Sequence, residues 1–373
     1  MNASKSLALF FAFGLLAGSS PAAELHVNCH SGNDANSGAA DKPLRTLQRG
    51  ISLAKERDVI HLHPRGATYR QSGTFRQQVG ITIEGNGVTL DGADPLPEDG
   101  WEQVAANLYR RQMKRTPLDR HLLIRAGVME RMGRTQSANS PDFPPHSELK
   151  PGQFCFENID DKTGWLYVCG SLNNLEWSTR VNGVATGGEC RALVVRNLNT
   201  RNFLNDGFNV HGDCRELKFE NVNGYNCFDE GFSAHESAEC EIDGGKFYGN
   251  ENGIADVNTT ITVYRNCQFY DNVNTDVLLV GKSHRLIDCQ IVNMTSAVAL
   301  NAGLRDKQQN FALELERVSL KTDQKTAPGH ARVNGGTLLL KDCVIENVRL
   351  NTLGADVSYQ GQNQIDGKTV AGP

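Results

Sequence analysis

Between residues 193 and 343 the chain repeats a short apolar-polar alternation. The copies begin at Leu193, Leu217, Ile261, Leu286 and Leu340, each alternating over four to six positions, which predicts short strands. An Asn follows successive copies at Asn202, Asn226, Asn250, Asn272 and Asn293, with Asn347 in the last, so the period is 21 to 24 residues. A unit of that length cannot bury its own apolar face, so units must stack. In coils stacked about 4.8 Å apart, like residues form ladders, and an Asn ladder satisfies the backbone of tight turns. The expectation is an all-β chain, a single-stranded right-handed parallel β-helix, or solenoid.

The flanking segments fit this plan. Leu44, Leu47, Ile51 and Ala54 recur at helical spacing and predict a helix that caps the open end of the coil. Val59–Leu62 and Ile81–Leu90 read as early strands. Residues 95–185 break the period and predict an inserted β-hairpin module. The division is therefore 1–22 as a leader, 23–94 as the cap and first coils, 95–185 as the insert, and 186–373 as the main coils.

Composition narrows the function. The 373 residues are 39% hydrophobic, 22% charged and only 7% aromatic, with 37 Gly and a net charge of −5. Strands and tight turns suit that balance, and the negative charge argues against a nucleic-acid partner. Lys5, the apolar run Leu7–Gly18 and the small residues Ser20 and Ala22 predict a cleaved export signal, too short to span a bilayer. A periplasmic or secreted protein without a membrane span in the mature chain is expected. Export exposes all ten Cys to an oxidising compartment. None forms a C-x-x-C. Cys155 and Cys169 sit symmetrically about Lys162 and are expected to form a disulfide across a hairpin, while Cys190, Cys214, Cys240, Cys267, Cys289 and Cys343 recur as small core residues. The segment from Arg110 to Arg134 carries eight basic residues against Asp119 and Glu130; it is either a solvated surface or a wall facing an anionic substrate.

The densest chemistry repeats 24 residues apart. Asp206-Gly207-Phe208-Asn209-Val210-His211 is followed by Glu230-Gly231-Phe232-Ser233-Ala234-His235. With the Phe residues inside, Asp206, Asn209, Ser233, His211 and His235 fall on or beside the outer face. Stacking places Asp206 and Glu230 about 5 Å apart, the spacing of a retaining glycosidase. Asp206, Glu230, Asp229, His211 and His235 are the candidate catalytic residues. Asn209, Glu236, Asp256 and Lys282 are expected to contact substrate.

The segment Ser31–Gly38 (SGNDANSG) with Lys42–Leu47 (KPLRTL) resembles the N-terminus of pectate-lyase-like secreted β-helix proteins. Lys150–Phe154 and Thr163–Val168 are similar to an insert of β-helix glycoside hydrolases. The resemblance implies hydrolases, lyases and epimerases acting on polysaccharides, and also non-enzymatic adhesins. Asn205-Asp206, Asp229-Glu230 and Glu251-Asn252-Gly253 follow the order of polygalacturonase motifs, lacking their Thr and their Gly-His-Gly histidine. Gly231–Glu236 resembles the Gly-Phe-Asp-Pro-His-Glu motif of mannuronan C5-epimerases, with Ser233 and Ala234 in place of Asp and Pro. A hydrolase needs no cofactor. A lyase reading would place Ca2+ on Asp206, Asp229 and Glu230, with a neutral His taking the C5 proton. A glycan-binding protein is the third alternative.

Overall fold

The computed structural model describes residues 22–131, 144–294, 298–305, 310–323 and 327–372. The proposed leader, apart from Ala22, lies outside them. The chain winds into a parallel β-helix of about 12 turns. A 19-stranded sheet bends into two faces, and a nine-stranded parallel sheet forms the third. On this third face Phe208–Val210, Glu230–Ala234, Asn252–Asp256 and Thr275–Leu279 lie side by side, with Phe208 opposite Phe232 and Phe232 opposite Ile254. Phe208, Phe232, Phe247, Phe269 and Tyr264 are fully buried along the axis. Each such ring contributes on the order of 1.5–3 kcal/mol by leaving water.

The corners explain the repeated Asn. Between the first two faces Asn86, Asn197, Asn221, Asn266, Asp288 and Asp342 all have φ between 51° and 55°. Asn and Asp tolerate this left-handed conformation best among residues with a side chain. The single Asn ladder expected at the next corner is two ladders offset by one residue. Tyr225 stacks on Tyr248, so Asn226 aligns with Gly249, and Asn250 aligns with Cys227. Asn202 and Asn226 have positive φ, whereas Asn250 and Asn272 point inside. There Asn250 Oδ1 accepts from the Cys227 N–H at 2.9 Å, and Asn272 Oδ1 accepts from the Asn250 N–H at 3.1 Å.

The N-terminal helix Leu47–Leu53 buries Leu47, Gly50 and Ile51 over the end of the coil. Thr46 caps it, accepting from the Arg49 N–H at 3.2 Å. Leu44 precedes the helix as extended chain bridged to Val27. The insert forms two four-stranded antiparallel sheets around Leu123, Phe154, Phe156, Leu166, Val168, Leu175 and Trp177. It ends earlier than the sequence suggests, because Val184–Thr186 already pairs with Gly73–Phe75 and with Phe208–Val210 on the third face.

The expected Cys155–Cys169 bridge is corrected by the hairpin register. Asp160 Oδ1 accepts from the N–H groups of Lys162 and Thr163 at 2.8 and 2.7 Å, which centres the turn on Asp161 rather than Lys162. Cys155 therefore faces Tyr167, and the Cys169 N–H bonds to the Gln153 carbonyl. Both thiols are buried and free, as are those of Cys190, Cys214, Cys240, Cys267, Cys289 and Cys343. Cys267 and Cys289 stack in one column of the core, continued by Val318 and Cys343.

Candidate active site

Strict alternation sends Asp206 inward with Phe208, so the outer position expected for it requires a break in the period. The chain makes this break by turning two consecutive residues, Gly207 and Phe208, into the coil. A Cβ on Gly207 would lie 2.3 Å from Thr200 Oγ1, and one on Gly231 would lie 2.6 Å from the Gly224 carbonyl oxygen. Only glycine fits where the two walls come this close. Asp206 and Asn209 thereby share the outer side, and the Asn209 amide donates to Asp206 Oδ2. Ser233 Oγ donates to the same oxygen at 2.7 Å, Asn205 Nδ2 at 3.1 Å, and the Glu230 N–H reaches Oδ1 at 3.1 Å. Asp206 is the hydrogen-bond acceptor of the whole cluster.

Carboxylate oxygens of Asp206, Asp229 and Glu230 all lie within 4.8 Å of one another, which agrees with the one-coil separation expected. They lie buried, although the sequence places them on or beside the outer face. Asp206 is 1% and Asp229 3% exposed, and Glu230 is 9% exposed. Burial, then Asp229 and Asp206, push the Glu230 carboxyl well above the usual range. Burial and Asp206 push Asp229 up to about 7, against the pull of Glu230 and Arg120. Glu230 Oε1 also accepts from Asn252 Nδ2 at 2.8 Å.

Arg120, which sequence reasoning missed, comes from the insert. Its guanidinium lies 3.1 Å from Asp229 Oδ2, donates to Asn205 and to the Leu204 carbonyl at 3.2 Å, and sits over the Phe228 ring. Phe228 packs on Leu122 and Ile124 of the insert, which brings Arg120 to this point. Among the described residues of the basic run, Arg110 pairs with Glu102, Arg115 with Asp119, and Arg125 with the Ser171 carbonyl, while its end at 132–134 lies outside them.

At the other end of the same strands His211 and His235 stack with centroids 4.0 Å apart and planes at 7°. Burial and the His211 charge lower the pKa of His235. Glu236 contacts His211 Nδ1 at 3.1 Å and accepts from the Gly212 N–H at 2.8 Å. Burial alone would raise Glu236, but these partners hold it below the usual range. Asn209 and Ser233, 3.3 Å apart, bridge the acidic end and the imidazole end.

Two expected substrate contacts fall elsewhere. Asp256 stands opposite Ala234, an inward position, and is fully buried in the coil, where Thr262 and Tyr264 hydroxyls donate to it at 2.7 and 2.9 Å. Lys282 lies in a groove with Arg215, Glu239 and Asn258, along the edge beyond the histidines and apart from the carboxylates.

The structure resembles that of XylC in complex with xylose, with a TM-score of 0.57 and 11% identity over 93% of this chain and 73% of that one. A glycoside hydrolase matches with a TM-score of 0.57 and 10% identity over 91% of this chain and 96% of that one. The pectate lyase Pel9A matches with a TM-score of 0.49 and 10% identity, over 95% and 82%. No family model and no curated protein sequence matches the chain. With its stacked parallel coils, end-capping helix and three-faced core, the chain has a right-handed parallel β-helix fold.

Proposed function

We propose that this protein hydrolyses a glycosidic bond in a polysaccharide, outside the cytoplasm, with Glu230 as proton donor and Asp206 as nucleophile. The observation that carries this reading is the cluster of three carboxylates within 4.8 Å, whose burial and mutual proximity push the Glu230 carboxyl well above the usual range. That separation matches the close carboxyl pair of retaining enzymes, about 5–5.5 Å, rather than the about 6.5–9.5 Å over which inverting enzymes seat a water, and so favours the retaining route. Glu230 protonates the leaving oxygen while Asp206 attacks the anomeric carbon. Water then releases the glycosyl group from Asp206, giving its proton to Glu230. Asp229, paired with Arg120, keeps the proton on Glu230 through like-charge repulsion. The two neighbours of TM-score 0.57, a xylose complex and a glycoside hydrolase, agree with a sugar as ligand.

A second reading rests on Asp229 Oδ1, which is buried without a hydrogen-bond partner. Together with Asp206 and Glu230 it forms an all-oxygen set suited to Ca2+, which would neutralise a uronate carboxylate. His235, its pKa lowered, would then take the C5 proton in a lyase or epimerase.

Incubation with neutral and uronate polysaccharides, with and without a chelator, tests both. New reducing ends without an unsaturated ultraviolet-absorbing product, insensitive to chelator, are expected. An unsaturated product that needs Ca2+ overturns the hydrolase in favour of the lyase. Glycan binding without either product overturns both.

A further inference from the structure

The first two strands of the coil carry a histidine cluster far from the carboxylates. Glu24–Asn28 pairs in parallel with Val59–His63, so that His26 stands opposite His61 and Asn28 opposite His63. Val27, Ile60 and Leu62 face the core, which turns Glu24, His26, Asn28, His61 and His63 outward. The three imidazoles stack, with His26 centroids 5.3 Å from His61 and 5.2 Å from His63. His26 Nδ1 lies 3.0 Å from His63 Nε2, and Glu24 contacts His61 Nε2. His26 and His63 also line a surface hollow with Asn28, Pro43 and Arg65.

Two N–H groups cannot face each other at 3.0 Å, so at least one facing nitrogen presents a lone pair. If the other ring moves its proton to its remaining nitrogen, both present lone pairs and no proton leaves the protein. Two imidazole nitrogens bound to a tetrahedral ion at 2.0–2.1 Å stand about 3.3–3.4 Å apart, only a few tenths wider than the pair stands here. We infer that His26 and His63, with His61 and Glu24 beside them, form a binding site for a divalent transition ion of the zinc or copper class. Imidazole donors favour these ions over Ca2+ or Mg2+, which separates this site from the oxygen-only cluster.

Titration calorimetry of the purified protein with ZnCl2 and with CuCl2 tests the inference. One equivalent should bind, with affinity at least tenfold weaker in His26→Gln/His63→Gln and unchanged in Glu230→Gln. Cu2+ spectra of the unaltered protein should show nitrogen hyperfine splitting from two imidazoles, a readout that does not depend on the variant folding. Absence of binding, unchanged affinity in the double variant, loss in Glu230→Gln, or a copper spectrum with oxygen ligands alone would each overturn it.

Discussion

The backbone N–H of Glu230 donates to Asp206 Oδ1 at 3.1 Å, so the two acids proposed for the chemistry are joined across adjacent coils by a structural bond. Asp206 thus holds the next coil in place in addition to the nucleophilic role proposed for it.

That double role separates the two amide variants. Glu230→Gln keeps an oxygen to accept from Asn252 and should fold normally. Its activity should fall about 10²–10⁴-fold, the usual contribution of a general acid. Asp206→Asn should abolish activity and also lose about 1–3 kcal/mol of stability, because its amide meets the donors Asn205, Asn209 and Ser233. Denaturant titration beside the activity assay checks both. Equal stability of the two variants would contradict the hydrogen-bond pattern.

Asp256 makes the stability depend on pH. Burial pushes its carboxyl up to about 7, so from about pH 4 to 7 the folded chain holds a proton that the unfolded chain has released. Stability from this group therefore falls as pH rises through that window. Buried His121 and His284, lowered to about 4 and about 3, act with the opposite slope between about pH 4 and 6.5, so the comparison must be with a variant. Asp256→Asn keeps an acceptor for Thr262 and Tyr264. Its Tm should decline less than that of the native protein between pH 4 and 7.

Gly231→Ala places a methyl group 2.6 Å from the Gly224 carbonyl oxygen. The backbone beside Glu230 must shift, at a cost of about 1–3 kcal/mol. Activity should drop further than stability, since the displaced residue carries the acid. A Gly231→Ala protein with native Tm and rate would show that the inward turn is not required.

Cys155 and Cys169 should both be alkylated when the protein is unfolded without reductant, and peptide mapping should recover no link between them. The prediction follows from the register that sets Cys155 opposite Tyr167.

The fold was legible because a solenoid repeats its instructions. Apolar alternation, a loose period of 21 to 24 residues and Asn or Asp at left-handed corners each recur coil after coil, and a fault in one copy does not hide the rest. The 24-residue spacing of Asp206 and Glu230 translated directly into one coil of separation. The inward Gly207-Phe208 pair was not legible, since a period of two cannot foresee a doubled inward step. Asp256 is a different case: alternation from the inward Ile254 already sends it inside, opposite Ala234, and the expectation of a substrate contact overlooked that step.

Local pattern and repeat thus determined the coil, its helical cap, the presence of an insert and the pair of acids on neighbouring turns, because those depend on contacts one period apart. Tertiary structure alone decided the burial of those acids, the arrival of Arg120 from the insert at Asp229, the turn centre that parts Cys155 from Cys169, and the meeting of His26 with His63. Each joins residues whose separation bears no relation to the 21–24-residue period or shifts with a single step in a turn, and side-chain reach, not sequence spacing, settles such contacts.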